Sequence, residues 1–158
     1  MIEFTVHGTP FPQGSKGAFV DKRGKARMKE SSGANFAHWR DAIVVAALRE
    51  RERIDETLSG PLSVAVTFRY RMPASRPKSD RVHGLRWRDL GADLDKPQRA
   101  VGDALEASNL IASDSCIAEW YARKIEVFEA WEGAVITVSR LSIPLSLAPR
   151  LDLVTVGT

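Results

Sequence analysis

A chain of 158 residues, 44% of them apolar and 27% charged, has the composition of one globular domain and not of a disordered or fibrous segment. Its one cysteine, Cys116, excludes an internal disulfide framework and fits a reducing cytosol. The net charge is only +3, 23 Lys and Arg against 20 Asp and Glu, so a polyanionic partner would have to be met by local clusters of charge.

Ile2, Phe4 and Val6 alternate with Glu3, Thr5 and His7, the period of a half-buried strand. Gly8-Thr9-Pro10 and Pro12-Gln13-Gly14 then break the chain. Gly17–Val20 and Ala26–Met28 flank Asp21-Lys22-Arg23-Gly24-Lys25, which predicts a hairpin with a basic tip. From Ala34 to about Glu52 the period changes. Phe36, Trp39, Ile43 and Ala46/Ala47 recur at three- and four-residue steps, so this segment is an amphipathic helix. Gly60-Pro61 leads into a strand with Leu62, Val64, Val66, Phe68 and Tyr70 on one face.

The stretch Met72–Ala92 carries Pro73, Pro77, Gly84 and Gly91 with little periodicity, and is expected to be a long functional loop. Asp95 two residues ahead of Pro97 predicts a helix cap and first turn. Val101, Ala104 and Leu105 give that helix its apolar stripe, and Ser108-Asn109 ends it. Two strands follow, Ile117–Phe128 and Ala134–Leu141, around a turn at Trp131-Glu132-Gly133. Apolar runs such as Ile43–Leu48 and Ala134–Val138 are far too short to cross a bilayer, and no signal-like segment opens the chain. The expected fold is α+β: a single domain over 1–143 with a mixed or mostly antiparallel sheet, two main helices on one face, Trp39 and Trp120 in the core, and a tail over 144–158.

Two segments concentrate basic residues: Lys16, Lys22, Arg23, Lys25, Arg27 and Lys29, then Arg69, Arg71, Arg76, Lys78, Arg81, Arg86 and Arg88. On charge alone they serve equally as a polyanion footprint or as solvated loops. Beside the second lies the densest cluster of possible chemistry, Asp93-Leu94-Asp95-Lys96-Pro97-Gln98-Arg99, followed by Asp103 and Asp114. In extended backbone Asp93 and Asp95 would point the same way, with Leu94 facing the core. Hard cations such as Mg²⁺ take oxygen ligands and keep several waters, so two or three carboxylates suffice, and Asp114 could fold back as the third. Lys96 and Arg99 could neutralise phosphate charge.

The same residues also read as a cap at Asp95, a solvated Asp93 and an ordinary Arg99–Asp103 surface pair. Other chemistries lack support. His7, His38 and His83 are scattered away from zinc spacing, and Cys116 reads as a small buried residue. Gly14-Ser15-Lys16 follows prolines and cannot form a phosphate-binding loop, although Gly14 and Lys16 could contact a phosphate from a turn.

The run Asp-Leu-Asp-Lys-Pro-Gln-Arg-Ala-Val-Gly-Asp-Ala-Leu over Asp93–Leu105, continued to an Asp at Asp114 before a strand, resembles the RusA-type Holliday junction resolvases. Gly8-Thr9-Pro10, Pro12–Lys16 and Arg76-Pro77-Lys78-Ser79 look like the phage and prophage branch of that family. The resemblance implies a small homodimeric endodeoxyribonuclease of DNA recombination and repair, acting in the cytoplasm of a bacterium or phage-infected host. Its partner is branched DNA and its cofactor Mg²⁺, with Mn²⁺ as an alternative. It implies that Asp93, Asp95 and Asp114 bind the metal and activate water.

The family's catalytic lysine falls at Arg99, which keeps the charge but not the compact ammonium, and Lys96 stands by as a substitute. Ser113 occupies a position where some members carry an acid. Under this resemblance Lys16, Lys22, Arg23, Lys25, Arg76, Lys78, Arg81, Arg86 and Arg88 are candidates for DNA binding. Two alternatives accompany it: a non-catalytic binder of structured nucleic acid, and a nuclease of flaps or forks.

Overall fold

A computed structural model describes residues 1–13, 16–20, 26–30 and 34–142, with 16–20 and 26–30 described as backbone. The predicted basic hairpin tip with Lys22, Arg23 and Lys25, the turn at Gly14, and the tail over 144–158 lie outside the described residues.

β1 (Ile2–His7) buries Ile2, Phe4 and Val6, as its alternation requires. β2 (Lys16–Val20) and β3 (Ala26–Glu30) form the expected antiparallel hairpin as a two-stranded sheet. α1 (Ala34–Ile54) buries Phe36, Trp39, Ile43 and Ala47, one residue per turn. β4 (Leu62–Arg71) alternates as predicted, with Leu62, Val64, Val66 and Phe68 inward. α3 (Asp95–Ala107) buries Pro97, Ala100, Val101, Ala104 and Leu105. One turn of 3-10 helix (Asp114–Cys116) leads into β6 (Ile117–Val127), and β7 (Gly133–Arg140) closes the sheet.

With the short strand β5 (Leu85–Trp87), the main sheet has the order β1-β7-β4-β6-β5 and is mixed: β4 and β6 are parallel and every other neighbouring pair is antiparallel. A parallel pair needs a crossover, and α3 supplies it between β4 and β6. The buried faces of α1 and α3 join the inward residues of β1, β4 and β7 in one apolar core. Closing β1 onto β7 depends on Gly133. Its φ of +147° and its approach to Val6 leave no room for a side chain, since a Cβ there would collide with the Val6 carbonyl.

Four expectations need correction. The segment Met72–Ala92 is not one loop: α2 (Lys78–His83) and β5 (Leu85–Trp87) lie within it. A six-residue helix and a three-residue strand are too short to print a period on the sequence. Asp95 is the first residue of α3 and makes no side-chain cap bond; the cap position falls on Leu94. Leu94 is helical (φ −64°, ψ −29°), so Asp93 and Asp95 do not share an extended face, although Leu94 does pack on the core. Trp39 is buried in the core, but Trp120 is only half-buried and packs at the core's margin.

Candidate active site

The inner stripe of α3 meets the core, and its neighbouring stripe forms one wall of a groove. Asp95, Gln98, Arg99, Gly102 and Asp103 lie along that wall, and Asp114, Ile117 and Trp120 face them, around a space of about 260 Å³. The helical period explains the grouping, because Asp95, Arg99 and Asp103 follow one another at four-residue steps. Gly102 forms part of the floor, where an added Cβ would lie 3.6 Å from Trp120 Cζ2 and 4.0 Å from Asp114 Cβ.

The backbone around Asp114 is fixed from two sides. Its N–H donates to the Glu106 carboxylate at 3.0 Å. The Ser113 hydroxyl accepts from the Ser115 N–H at 3.3 Å and so caps the 3-10 turn. Asp103 is held across the chain by Gln13, whose Nε2 donates to Oδ2 at 3.0 Å, while the Gln13 N–H donates to the Lys96 carbonyl at 3.4 Å. Two exposed ion pairs border the groove: Arg99 with Asp95 at 3.5 Å, and Lys96 with Asp93 at 3.7 Å.

Of the carboxylates read as metal ligands, Asp95 and Asp114 line the groove. The Asp93 side chain is 82% exposed and is not among the lining residues. Asp103 joins the other two instead. Its expected surface pairing with Arg99 is replaced by the bond from Gln13, and Arg99 pairs with Asp95. Three carboxylates offer only oxygen donors, the set that suits a hard cation such as Mg²⁺. Among the described residues no three His, Cys, Asp or Glu side chains are already drawn together as a metal cage. The fit to a cation is therefore one of donor chemistry.

The arginine-rich segment is tied down by Glu126, a fully buried carboxylate on β6. Arg76 grips it with two bonds, Nε to Oε2 at 2.8 Å and Nη2 to Oε1 at 2.9 Å, and Arg88 Nη1 adds a third at 3.2 Å. Arg76 Nη2 also reaches Asp89 at 2.8 Å, and Arg86 pairs with Asp80 at 2.7 Å and Asp89 at 3.2 Å. These bonds hold the Arg76 proton more tightly than usual and pull the Asp89 carboxyl below its ordinary range, through Arg76 first. Arg88 also lies 4.3 Å from the centre of the Tyr70 ring, a phenol that burial pushes up to about 12.

Arg81 donates to the Ala74 carbonyl and stacks toward Phe128, while Lys78 is exposed on α2. Thus Arg76, Arg86 and Arg88 order the segment between β4 and α3. Lys16 lies on β2, and Lys22, Arg23 and Lys25 fall outside the described residues. Lys124 on β6 holds the approach to α3, its Nζ donating to the Ala92 carbonyl at 2.8 Å. Sequence reasoning missed Gln13, Glu106, Lys124 and Glu126. Only the Asp95–Arg99–Asp103 spacing could have signalled that Asp103 belongs to the groove.

No helix among the described residues is long and apolar enough to cross a membrane. No curated protein matches the chain. A family model described as Endodeoxyribonuclease RusA matches residues 8–139, a span that includes Gln13, the whole acidic groove and the Glu126 cluster. The α+β architecture with its mixed sheet agrees with that match, and the chain belongs to the RusA family of endodeoxyribonucleases, enzymes of Holliday junction resolution.

Proposed function

We propose that this chain is a metal-dependent, structure-selective endodeoxyribonuclease that resolves four-way DNA junctions by paired nicks, acting as a homodimer. The observation that carries this reading is the convergence of Asp95, Asp103 and Asp114 on one groove, with Arg99 on its wall. Asp95, Asp103 and Asp114 would hold Mg²⁺, with Asp93 close by in sequence. The bound cation would supply an activated water and charge neutralisation at the scissile phosphate.

The chain's own residues do the rest. Gln13 orients Asp103, and Glu106 fixes the backbone of Asp114. Arg99, on the groove wall beside Asp95, would meet a phosphate oxygen there, the role a planar fork of donors performs well. Lys96 stands one turn away with its own partner, Asp93. The basic hairpin, with Lys16, Lys22, Arg23 and Lys25, and Lys78 on α2 supply salt-dependent phosphate contacts. Arg76, Arg86 and Arg88 contribute by holding their segment in shape.

A labelled synthetic four-way junction, with linear duplex as control, tests this in Mg²⁺ and in EDTA. Symmetric nicks confined to the junction and present only with Mg²⁺ are expected. Asp95→Asn and Asp114→Asn should abolish cleavage and keep junction binding. A junction bound but left uncut in Mg²⁺ would overturn the reading in favour of a non-catalytic binder. Equal cutting of flaps and forks would overturn its junction selectivity.

A further inference from the structure

β5 covers little of the sheet edge beside it. It pairs with β6 only at Ile125–Val127, and one more bond runs from the Arg88 N–H to the Lys124 carbonyl at 3.1 Å. From Ile117 to Arg123 the outward edge of β6 has no backbone partner among the described residues. An open edge is a template for another strand: this one contains no proline, and its one register irregularity, at Ala118 between Ile117 and Glu119, lies before the segment Glu119–Arg123.

The side chains along this edge are unusual for a surface strand. Trp120 and Ala122 pack toward the core, so Glu119, Tyr121 and Arg123 project from the opposite face of the sheet, away from α1 and α3. Tyr121 is 61% exposed there. Trp87, on the same face because it pairs with Ile125, is 67% exposed. The charges flanking Tyr121 are self-complementary. If two copies of the edge run antiparallel about Tyr121, Glu119 of each lies directly opposite Arg123 of the other, and the two tyrosines face one another.

The backbone agrees with that register. The Lys124 carbonyl points outward, so Ala122 and Trp120, two and four residues back, also direct their N–H and C=O groups outward. In a pairing centred on Tyr121, Trp120 lies opposite Ala122 of the second copy and the two can exchange both hydrogen bonds. The tyrosine pair then occupies the narrow, non-hydrogen-bonded position.

We propose that the partner of the free β6 edge is a second copy of this chain, joined by antiparallel pairing centred on Tyr121. This deepens the homodimer of the proposed function by assigning its surface. The two-fold axis of such a pairing stands perpendicular to the sheet, so both acidic grooves open on the same helix-bearing side. Each groove reaches the interface through Trp120, which lines the groove and lies on the pairing edge. That is the arrangement paired nicks on one junction require.

The test uses the full chain without DNA or metal, by sedimentation velocity. The wild type should sediment as a dimer. Glu119→Arg places like charges opposite each other twice and should weaken the dimer at least tenfold. Adding Arg123→Glu to it should restore the dimer, a rescue that only this register predicts. Tyr121→Cys, in a Cys116→Ser background, should form an intermolecular disulfide under mild oxidation, because the narrow pair brings Cα atoms to about 4.5 Å. Circular dichroism of each variant separates a lost interface from a lost fold, and the double variant's recovery does so independently.

A monomeric wild type would overturn the proposal. So would a dimer indifferent to Glu119→Arg, or one cross-linked through Trp87→Cys and not through Tyr121→Cys. An active nuclease that is monomeric would refute the interface alone. A cross-linked dimer that never cuts would refute the nuclease reading alone.

Discussion

Gly102 offers a perturbation whose effects on stability and on activity should have opposite signs. It lies in the interior of α3, where glycine is disfavoured relative to alanine by about 0.8–1 kcal/mol. A Cβ added there would meet Trp120 Cζ2 at 3.6 Å and Asp114 Cβ and Ile117 Cδ1 at 4.0 Å, ordinary contact distances at which nothing has to move. Gly102→Ala should therefore stabilise the protein by about 1 kcal/mol, which for a domain of this size raises Tm by roughly 2–4 °C.

The same methyl projects into the floor of the groove between Asp114 and Trp120. The groove's own side chains stay in place, but the methyl would hold a substrate phosphate off its reacting position, and a misplacement of about 1 Å can cost about 100-fold. Junction cleavage should fall by about tenfold or more while junction binding is kept. Differential scanning calorimetry and single-turnover cleavage of a labelled junction measure the two effects separately. A variant that melts lower than the wild type would refute the packing reasoning. A variant that melts higher but cuts at the wild-type rate would refute the placement of the reaction in this groove.

Two further outcomes follow from the arginine cluster. Glu126→Gln removes the buried charge that Arg76 and Arg88 grip, and should cost about 3 kcal/mol, near the low end for a broken buried pair because Arg76 keeps Asp89. Urea unfolding gives the loss, hydrogen exchange should rise over α2 and β5, and a variant as stable as the wild type would show the cluster to be incidental. The Asp89 carboxyl is held below its ordinary 3.8, chiefly by Arg76, so its stabilising contribution is fully present above that value and disappears as pH falls through the lower folded one. The stability gap between wild type and Asp89→Asn should thus be constant above about pH 5 and close below about pH 4. A gap unchanged throughout the acid range would refute the pairing.

Local periodicity was enough to define most elements of this protein. The burial of Phe36, Trp39, Ile43 and Ala47 on α1, and of alternate residues on β1 and β4, is dictated by steps of 3.6 and 2 residues that any contiguous stretch displays. The Asp95–Arg99–Asp103 stripe and the nearby Asp114 were equally legible, since one helix and the turn after it gather them. The directions of Asp93 and Asp95 were not, because the backbone leaves the extended conformation at Leu94, one residue before α3 begins.

Tertiary structure decided what distant residues do to one another. The arginines of residues 76–88 look like a polyanion footprint in sequence because their principal counter-charge, Glu126, is 38 to 50 residues away. Only the pairing of β5 with β6 brings it beneath them. Gln13 carries no signal of its own, and it joins the acidic groove across 90 residues of chain. The sequence by itself determined which residues could be helical, extended or acidic at short range, since those preferences are set by neighbours a few positions apart. Which carboxylates share a groove, which arginines are already neutralised and which strand edge has no partner among the described residues depend on contacts between segments far apart in the chain, and only the folded sheet brings those together.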